Sequence, residues 1–246
     1  MAKRILSGIA AVVLLILCMM FEKNTIRETM SDVERCKTEQ KKTAYITFDD
    51  GPSCLTKQYL DILEREGVKA TFFVIGSQIT EDMENIIKRE IEDGHEIGIH
   101  TYTHDAGKMY SCKEKCMEEI EKTGYMLEEN FGYKAKVMRF PWGSSNNYVK
   151  NFKSQVVNDL KKQGLEYADW NVSAEDSVGC PTVDSIMKNI KKDCYKYNEP
   201  VILMHDSCVN KKTLESLEKV INELKSNGYG FDVLSNRKES CHFCGD

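Results

Sequence analysis

Two adjacent carboxylates follow a short β-prone run, at Asp49 and Asp50 in the segment Thr47-Phe-Asp-Asp-Gly51. Neighbouring carboxylates repel each other unless a cation or a shared proton relieves their charge. Successive side chains near a strand end point in different directions, so one carboxylate can bind a metal ion while the other faces a water molecule beside it. The alternative is an ordinary Asp-Asp-Gly-Pro turn, which suits the same residue types, and this motif alone does not decide between them.

Two histidines follow another strand-like run, in His100-Thr-Tyr-Thr-His104. This spacing suits a helical turn or a tight loop that offers two nitrogen ligands to a zinc-like ion, although such a pair on its own is more typical of a structural position. With Asp50 the histidines make three protein ligands and leave a position open for water, as catalytic zinc sites do. We expect His95 to face the opposite side of the strand and His242 to have no catalytic role.

Further ionisable side chains follow later strand-like runs. In Arg139-Phe-Pro-Trp-Gly143 the arginine can pair with one of the carboxylates, and the alternative is a surface arginine beside a turn. His205 follows Leu203-Met204 and is a candidate general acid, because imidazole titrates near neutral pH.

The elements that position these residues alternate along the chain. The predicted strands cover residues 44–48, 70–75, 95–99, 136–140, 165–170, 201–204 and 231–234, and the predicted helices cover residues 56–66, 83–92, 111–129, 149–162, 182–194 and 213–226. Strands separated by helices indicate βαβ units and a parallel sheet. The order fits an α/β barrel or an open doubly wound sheet, and both place an active site at the carboxyl ends of the strands.

The motifs, taken in order, resemble those of the NodB-type polysaccharide deacetylases, carbohydrate esterase family 4. The resemblance covers roughly residues 43–234 and rests on Thr47-Phe-Asp-Asp-Gly51, His100-Thr-Tyr-Thr-His104, Arg139-Phe-Pro-Trp-Gly143, Trp170-Asn-Val-Ser-Ala-Glu-Asp176 and Leu203-Met-His205. It implies an α/β fold, a distorted and incomplete (β/α) barrel. It also implies a bound divalent metal, usually Zn²⁺, with Co²⁺ or another divalent ion as the alternative.

The resemblance also implies the role of each matching residue. The metal ligands would be Asp50, His100 and His104. Asp49 would be the general base, paired with Arg139, and His205 would be the general acid, oriented by Asp176. The acetyl pocket would be formed by Trp142, Trp170 and Leu203, and the Trp142 backbone N–H would bind the oxyanion. One position departs from the pattern, since Ser177 follows Asp176 where many members carry Trp. Asp169 is therefore the alternative partner for His205.

The implied function is metal-dependent hydrolysis of N-acetyl groups on a cell-surface polysaccharide, without an organic cofactor. We expect N-acetylglucosamine residues of peptidoglycan first, and chitin oligomers, other N-acetylated glycans or xylan O-acetyl esters as alternatives. Two rivals are an inactive glycan-binding member of the fold and a hydrolase of small cyclic amides. The formal charge of −5 gives no support to nucleic-acid binding.

The N-terminus predicts a membrane segment. Lys3 and Arg4 precede an apolar run over residues 5–21, near the lower end of the roughly 17–25 residues that span a bilayer. No small-residue cleavage site follows, so we expect a signal anchor with residues 1–4 in the cytoplasm and the catalytic domain outside. A cleaved signal peptide and a secreted protein are the alternative. Residues 22–42 are the predicted linker, and residues 43–246 are the predicted catalytic domain with a short cysteine-containing tail.

The cysteines favour an oxidising compartment, since nine of the ten follow the apolar run. Nine is odd, so at least one thiol is free or pairs with another chain. A structural zinc site is one alternative to disulfides and free thiols, formed by Cys112, Cys116, Cys241 and Cys244. The sequence leaves the pairing open, including whether Cys54 and Cys208 beside the catalytic motifs are bridged.

Overall fold

The computed structural model describes residues 42–243. Within that range no helix has the length and apolar character needed to cross a membrane. The predicted cytoplasmic tip, the signal anchor and all but the last residue of the linker lie outside the described residues, as does the end of the tail from residue 244 onward.

One eight-stranded sheet forms the centre of the described domain, and every strand pairing in it is parallel. Its strands are β1 (Thr43–Gly51), β2 (Thr71–Val74), β3 (Glu96–Ile99), β4 (Val137–Met138), β5 (Glu166–Tyr167), β6 (Val172–Ser173), β7 (Val201–His205) and β8 (Gly230–Phe231). The order is β5-β4-β3-β2-β1-β7-β6, with β8 paired to the start of β1. The sheet curls into a half-barrel, which confirms the predicted distorted and incomplete (β/α) barrel.

Seven α-helices accompany the strands over residues 42–243. They are α1 (Thr56–Glu66), α2 (Glu84–Glu92), α3 (Ala106–Met109), α4 (Lys113–Phe131), α5 (Lys153–Lys162), α6 (Val183–Cys194) and α7 (Lys211–Ser226). Helix α1 ends where the sequence predicts, because Gly67 adopts the left-handed conformation (φ 64°) that suits glycine and donates its N–H to Glu64. Helix α6 begins at a capping box formed by Thr182 and Ser185.

The main core lies between the sheet and the helices. Ile46 and Phe48 of β1 and Phe72 of β2 are buried in one cluster with Leu60 of α1 and Leu217 of α7. Burying a side chain of this size stabilises the fold by about 1.5–3 kcal/mol, so these apolar faces hold the helices against the strands.

One strand, β6, and one α-helix, the single-turn α3, were not predicted from the sequence. Both are short, and β6 is defined by its parallel pairing with β7 rather than by a run of its own. The predicted strands over residues 136–140 and 165–170 shrink to two residues each, since β4 meets β3 at one register pair only. The last predicted strand, residues 231–234, lies instead at Gly230–Phe231.

Candidate active site

The adjacent carboxylates at the end of β1 diverge because the strand changes its register there. Asp49 pairs with His205 of β7, and the register against β2 shifts between Asp49 and Gly51. Asp50 adopts a left-handed backbone with φ 72°, which is uncommon for a residue other than glycine. Strained backbone of this kind concentrates at functional sites. Asp49 and Asp50 therefore meet different partners.

Asp50 meets the two histidines that follow β3. Its Oδ1 lies 3.5 Å from His100 Nε2 and 3.4 Å from His104 Nε2. Across residues 42–243 these side chains make the one group of His, Cys, Asp and Glu residues suited to hold a metal ion, with ligand atoms within 4.8 Å of one another. The loop that presents the histidines is held by Glu119, whose Oε2 accepts hydrogen bonds from the backbone N–H groups of Tyr102 and Thr103.

The chemistry of this group fits a divalent cation. Asp50 Oδ1 is buried and has no hydrogen-bond partner among the described residues. His100 Nδ1 lies 2.9 Å from the Arg139 carbonyl oxygen, which only accepts, so Nδ1 carries the proton and Nε2 offers its lone pair toward Asp50. Burial lowers the pKa of His100 and favours the neutral ring that a metal needs. One oxygen and two nitrogen ligands match an open zinc site.

Asp49 meets Arg139 instead. Arg139 is fully buried, which excludes a surface arginine, and its Nη1 lies 2.8 Å from Asp49 Oδ1 and 2.7 Å from Thr47 Oγ1. Its Nε and Nη2 donate to the carbonyl oxygens of Ala168 and Asp169 at 3.0 and 2.9 Å. A buried guanidinium is stable when it is paired and hydrogen-bonded in this way, so Arg139 both compensates and orients the Asp49 carboxylate.

His205 lies at the end of β7 and is bound by Asp176. Asp176 Oδ1 lies 2.8 Å from His205 Nδ1, and Asp176 Oδ2 accepts the His205 backbone N–H at 2.8 Å. Burial disfavours the protonated His205 ring and by itself would lower its pKa. The hydrogen bond and charge of Asp176, with the charges of Asp49 and Asp50, outweigh burial and raise the pKa of His205 to about 9.

The Asp169 carboxylate contacts Ser144 and Phe243 and does not orient His205. Its carboxylate accepts hydrogen bonds from the Ser144 backbone N–H at 2.8 Å, the Ser144 hydroxyl at 2.7 Å and the Phe243 backbone N–H at 3.1 Å. The structure therefore brings Asp176, and not Asp169, to the His205 ring.

These residues line a cleft of about 460 Å³. Trp142, Trp170 and Leu203, which the resemblance implies for the acetyl pocket, form part of its wall. The Trp142 ring is half exposed and packs on His104 with ring centroids 4.9 Å apart. Ser177, at the position where the resemblance would place Trp, lines the cleft beside Val178, so this side is formed by smaller side chains.

His95 and His242 lie outside this cleft. His95 is buried on the core side, where its Nδ1 accepts the Ala70 backbone N–H at 3.1 Å and burial lowers its pKa to about 4. His242 stacks on Tyr167 with ring centroids 4.0 Å apart.

One residue that supports the site was not singled out from the sequence. Asp206 is buried next to His205, donates its backbone N–H to the Asp49 carbonyl oxygen at 2.7 Å, and accepts the Ser53 hydroxyl at 2.6 Å. Burial raises its pKa to about 6. The sequence signal that could have identified Asp206 is its position directly after His205 in a catalytic motif.

The cysteines do not form the alternative zinc site within residues 42–243. Cys54 and Cys208 form a disulfide with Cα atoms 5.5 Å apart, which joins the loops after β1 and β7. Cys116 is buried in the main core, where burial raises the pKa of its thiol to about 12 and disfavours the thiolate that zinc requires. Cys241 belongs to a separate core cluster, and Cys244 lies outside the described residues.

The fold and site together are those of a carbohydrate esterase of the deacetylase type. A family model described as polysaccharide deacetylase matches residues 36–168. The chain is 32% identical to a peptidoglycan-N-acetylglucosamine deacetylase of Bacillus cereus, over 85% of this chain and 74% of that protein.

Solved structures show the same relationship. The catalytic domain of a peptidoglycan N-acetylglucosamine deacetylase from Eubacterium rectale matches with a TM-score of 0.77 and 32% identity, over 85% of this chain and 96% of that one. A Streptococcus mutans CE4 esterase matches with a TM-score of 0.73 and 30% identity, over 82% and 90%. The chain belongs to the polysaccharide deacetylase family.

Proposed function

We propose that this protein removes N-acetyl groups from N-acetylglucosamine residues of peptidoglycan. One observation carries the proposal: the Arg139–Asp49 pair and the Asp176–His205 pair converge on the cleft that contains Asp50, His100 and His104. The Bacillus cereus and Eubacterium rectale relatives, both described as acting on this glycan, support the substrate.

Asp50, His100 and His104 would hold a divalent ion, with zinc favoured by the one-oxygen, two-nitrogen ligand set. Such an ion supplies Lewis-acid activation of water and of the acetyl carbonyl.

The remaining residues divide the proton transfers. Asp49, oriented by Arg139, accepts a proton from water as the water oxygen attacks the acetyl carbon. The Trp142 backbone N–H donates a hydrogen bond to the oxyanion, a contact whose loss typically costs on the order of 10²–10³ in rate. His205, held protonated by Asp176, gives its proton to the amide nitrogen as the C–N bond breaks. The products are acetate and a free glucosamine amine, and Trp170 and Leu203 enclose the acetyl methyl.

The test is mass spectrometry of cell-wall fragments after incubation with the protein. We expect loss of one acetyl group from each glucosamine and none from muramic acid. Asp50→Ala and His205→Ala should abolish acetate release, whereas Asp82→Asn, an exposed carboxylate outside the cleft, should leave it unchanged. Wild-type rates in both catalytic variants would contradict the residue assignment. Release from chitin oligomers but not from peptidoglycan would move the proposal to the first alternative substrate.

We also propose that the protein is anchored in the cell membrane with its catalytic domain outside. Two observations support this location: the apolar run over residues 5–21 and the Cys54–Cys208 disulfide, which suits an oxidising compartment. The protein should sediment with the membrane fraction. Protease added to intact cells should digest its catalytic domain. Recovery in the culture medium would favour signal cleavage, and protection from protease would contradict an outside location.

A further inference from the structure

The C-terminal tail, residues 240–243, lies beside the opening of the half-barrel. Strands β5 and β6 stand at the two ends of the sheet order and do not pair with each other among the described strands. The Cys241 carbonyl oxygen accepts the Asp169 backbone N–H at 2.7 Å, and His242 Nε2 lies 3.1 Å from the Tyr167 carbonyl oxygen. The tail therefore hydrogen-bonds to the end of β5 and to the segment that connects β5 to β6.

The tail also contributes to the barrel interior. Cys241 is buried in a cluster with Tyr45 of β1, Phe73 of β2 and Ala168, and Trp170 packs against this cluster. The chain reaches this position from Leu234, whose backbone N–H donates to Thr71 Oγ1 at 2.9 Å. The chain is thus hydrogen-bonded to the domain at Leu234, before the tail, and again at Cys241 within it.

Phe243 packs directly against the wall of the cleft. Its ring meets the Trp170 ring edge-on, with centroids 4.8 Å apart and an interplanar angle of 85°. This is a favourable aromatic geometry. Gly143 allows the approach, since a Cβ on Gly143 would lie 2.6 Å from Phe243 Cε2 and 3.0 Å from Trp170 Cη2. The Asp169 carboxylate connects the Gly143 segment to the tail, because it accepts hydrogen bonds from the backbone N–H groups of Ser144 and Phe243.

Trp170 is consequently held between two groups. The Arg139 guanidinium lies 5.6 Å from the centre of its ring, and the Phe243 ring packs against it with centroids 4.8 Å apart. Trp170 itself lines the cleft beside Leu203. We propose that Phe243 is a positioning residue that fixes Trp170 and thereby sets the size of the acyl group that the cleft accepts. This inference rests on the proposed function, because it concerns the acyl selectivity of that reaction.

The first test uses the full-length chain and two matched amide substrates, N-acetyl and N-propionyl glucosamine oligomers. One methylene in a fitted apolar pocket is worth roughly 10–200-fold in discrimination. We expect Phe243→Ala to reduce the preference for N-acetyl by about 10-fold, mainly by raising KM for the acetyl substrate, and Phe243→Tyr to restore the preference. The pH profile should stay unchanged, since Phe243 touches neither Asp49 nor His205. Tyr125→Ala, an exposed aromatic on α4, is the matched control.

The second test does not depend on activity. The chain contains two tryptophans, so Trp142→Phe leaves Trp170 as the only indole. In that background Phe243→Ala should increase quenching of Trp170 fluorescence by acrylamide, while circular dichroism shows that the fold is retained.

If Phe243→Ala left the quenching of Trp170 unchanged, the contact between the two rings would be overturned. If Phe243→Ala stayed active with an unchanged acyl preference, the proposed positioning role of Phe243 would be overturned. If the unmodified chain hydrolysed neither amide, the proposed function and the selectivity role would both fail. Quenching would then still decide whether Phe243 holds Trp170.

Discussion

Asp176 binds His205 at two places, because one carboxylate oxygen lies 2.8 Å from Nδ1 of the ring and the other accepts the His205 backbone N–H at 2.8 Å. Thr213 Oγ1 donates to the second oxygen at 2.7 Å and fixes the carboxylate. The same contact therefore orients the imidazole and raises its pKa to about 9.

Replacing Asp176 by Asn should move the alkaline limb of the kcat–pH profile. In the wild type His205 is protonated below about pH 9, so the general acid is lost only above that value. Asp176→Asn removes the charge that stabilises the imidazolium, so the limb should move toward the ordinary histidine value of about 6.5. The rate at the optimum should fall by roughly 10²–10⁴. Glu175→Gln, an exposed neighbour in the cleft, is the control, and an unmoved limb would exclude the Asp176 contact as the cause.

The buried Arg139–Asp49 pair should show strong coupling. Arg139→Met leaves the Asp49 carboxylate buried without its partner, and breaking such a pair typically destabilises a protein by about 3–5 kcal/mol. Asp49→Asn in the same chain removes the orphaned charge and should recover part of that loss, although neither variant should release acetate. Urea unfolding of the two single variants and the double variant gives the coupling free energy. Additive losses would contradict a direct interaction.

The sequence predicted those parts of the fold and site that depend on local pattern. Helix α1 coincides with its predicted range and ends at Gly67, since periodicity and a left-handed glycine are both local signals. The catalytic candidates fall at strand ends because residues such as Asp49 and His205 directly follow apolar runs. The arrangement of the parallel strands then brings these ends to one edge of the sheet.

The sequence did not predict contacts that depend on tertiary structure. The resemblance left both Asp169 and Asp176 open as partners for His205. The tertiary structure distinguishes them, since Asp176 contacts His205 and Thr213 of α7 whereas Asp169 accepts from Ser144. The tail carries no periodic pattern, so the contact between Phe243 and Trp170 could not be anticipated. The disulfide between Cys54 and Cys208 likewise joins positions 154 residues apart.

Metal binding should depend on the histidine and aspartate side chains and not on cysteine. Titration of the metal-free protein with Zn²⁺ should give one site. Loss of a residue that hydrogen-bonds to a metal ligand typically lowers metal affinity by roughly 10–100-fold. His104→Gln removes a ligand itself, so it should lower the Zn²⁺ affinity by more than that. Zn²⁺ at about 100 times Kd should stabilise the wild type by about 2.7 kcal/mol through mass action. Cys112→Ala should leave the affinity unchanged. A loss in the cysteine variant, with normal binding in His104→Gln, would place the ion elsewhere.

Reduction of the Cys54–Cys208 disulfide should destabilise the domain. The bridge joins the loop after β1 to the loop after β7, and Asp50 and His205 lie near the ends of these two strands. Removing a native disulfide typically costs about 2–5 kcal/mol, with long closed loops at the upper end. The Cys54→Ser, Cys208→Ser variant should therefore unfold at lower urea than the wild type, and a reductant should shift the wild type more than the variant. Cys180→Ser is the control, because Cys180 is exposed and forms no disulfide with another cysteine in residues 42–243.

Glu90 should make the domain less stable as the pH rises. Its side chain is buried and both carboxylate oxygens lack hydrogen-bond partners among the described residues, so burial, reinforced by the charge of Asp206, raises its pKa well above the usual value. The folded state therefore favours the neutral acid. Its stabilising effect is complete below the unfolded pKa of about 4.5 and is lost as the pH rises toward the folded pKa.

Replacing Glu90 by Met keeps a side chain of similar size and removes the ionisable group from a buried position. Urea unfolding should give Glu90→Met a higher free energy of unfolding than the wild type at pH 8, and the two proteins should converge as the pH falls toward 4.5. Glu92→Met, an exposed change on the same helix, should leave this pH dependence intact. A Glu90→Met variant that is less stable than the wild type at pH 8 would show instead that the Glu90 carboxylate has a favourable partner in the folded protein.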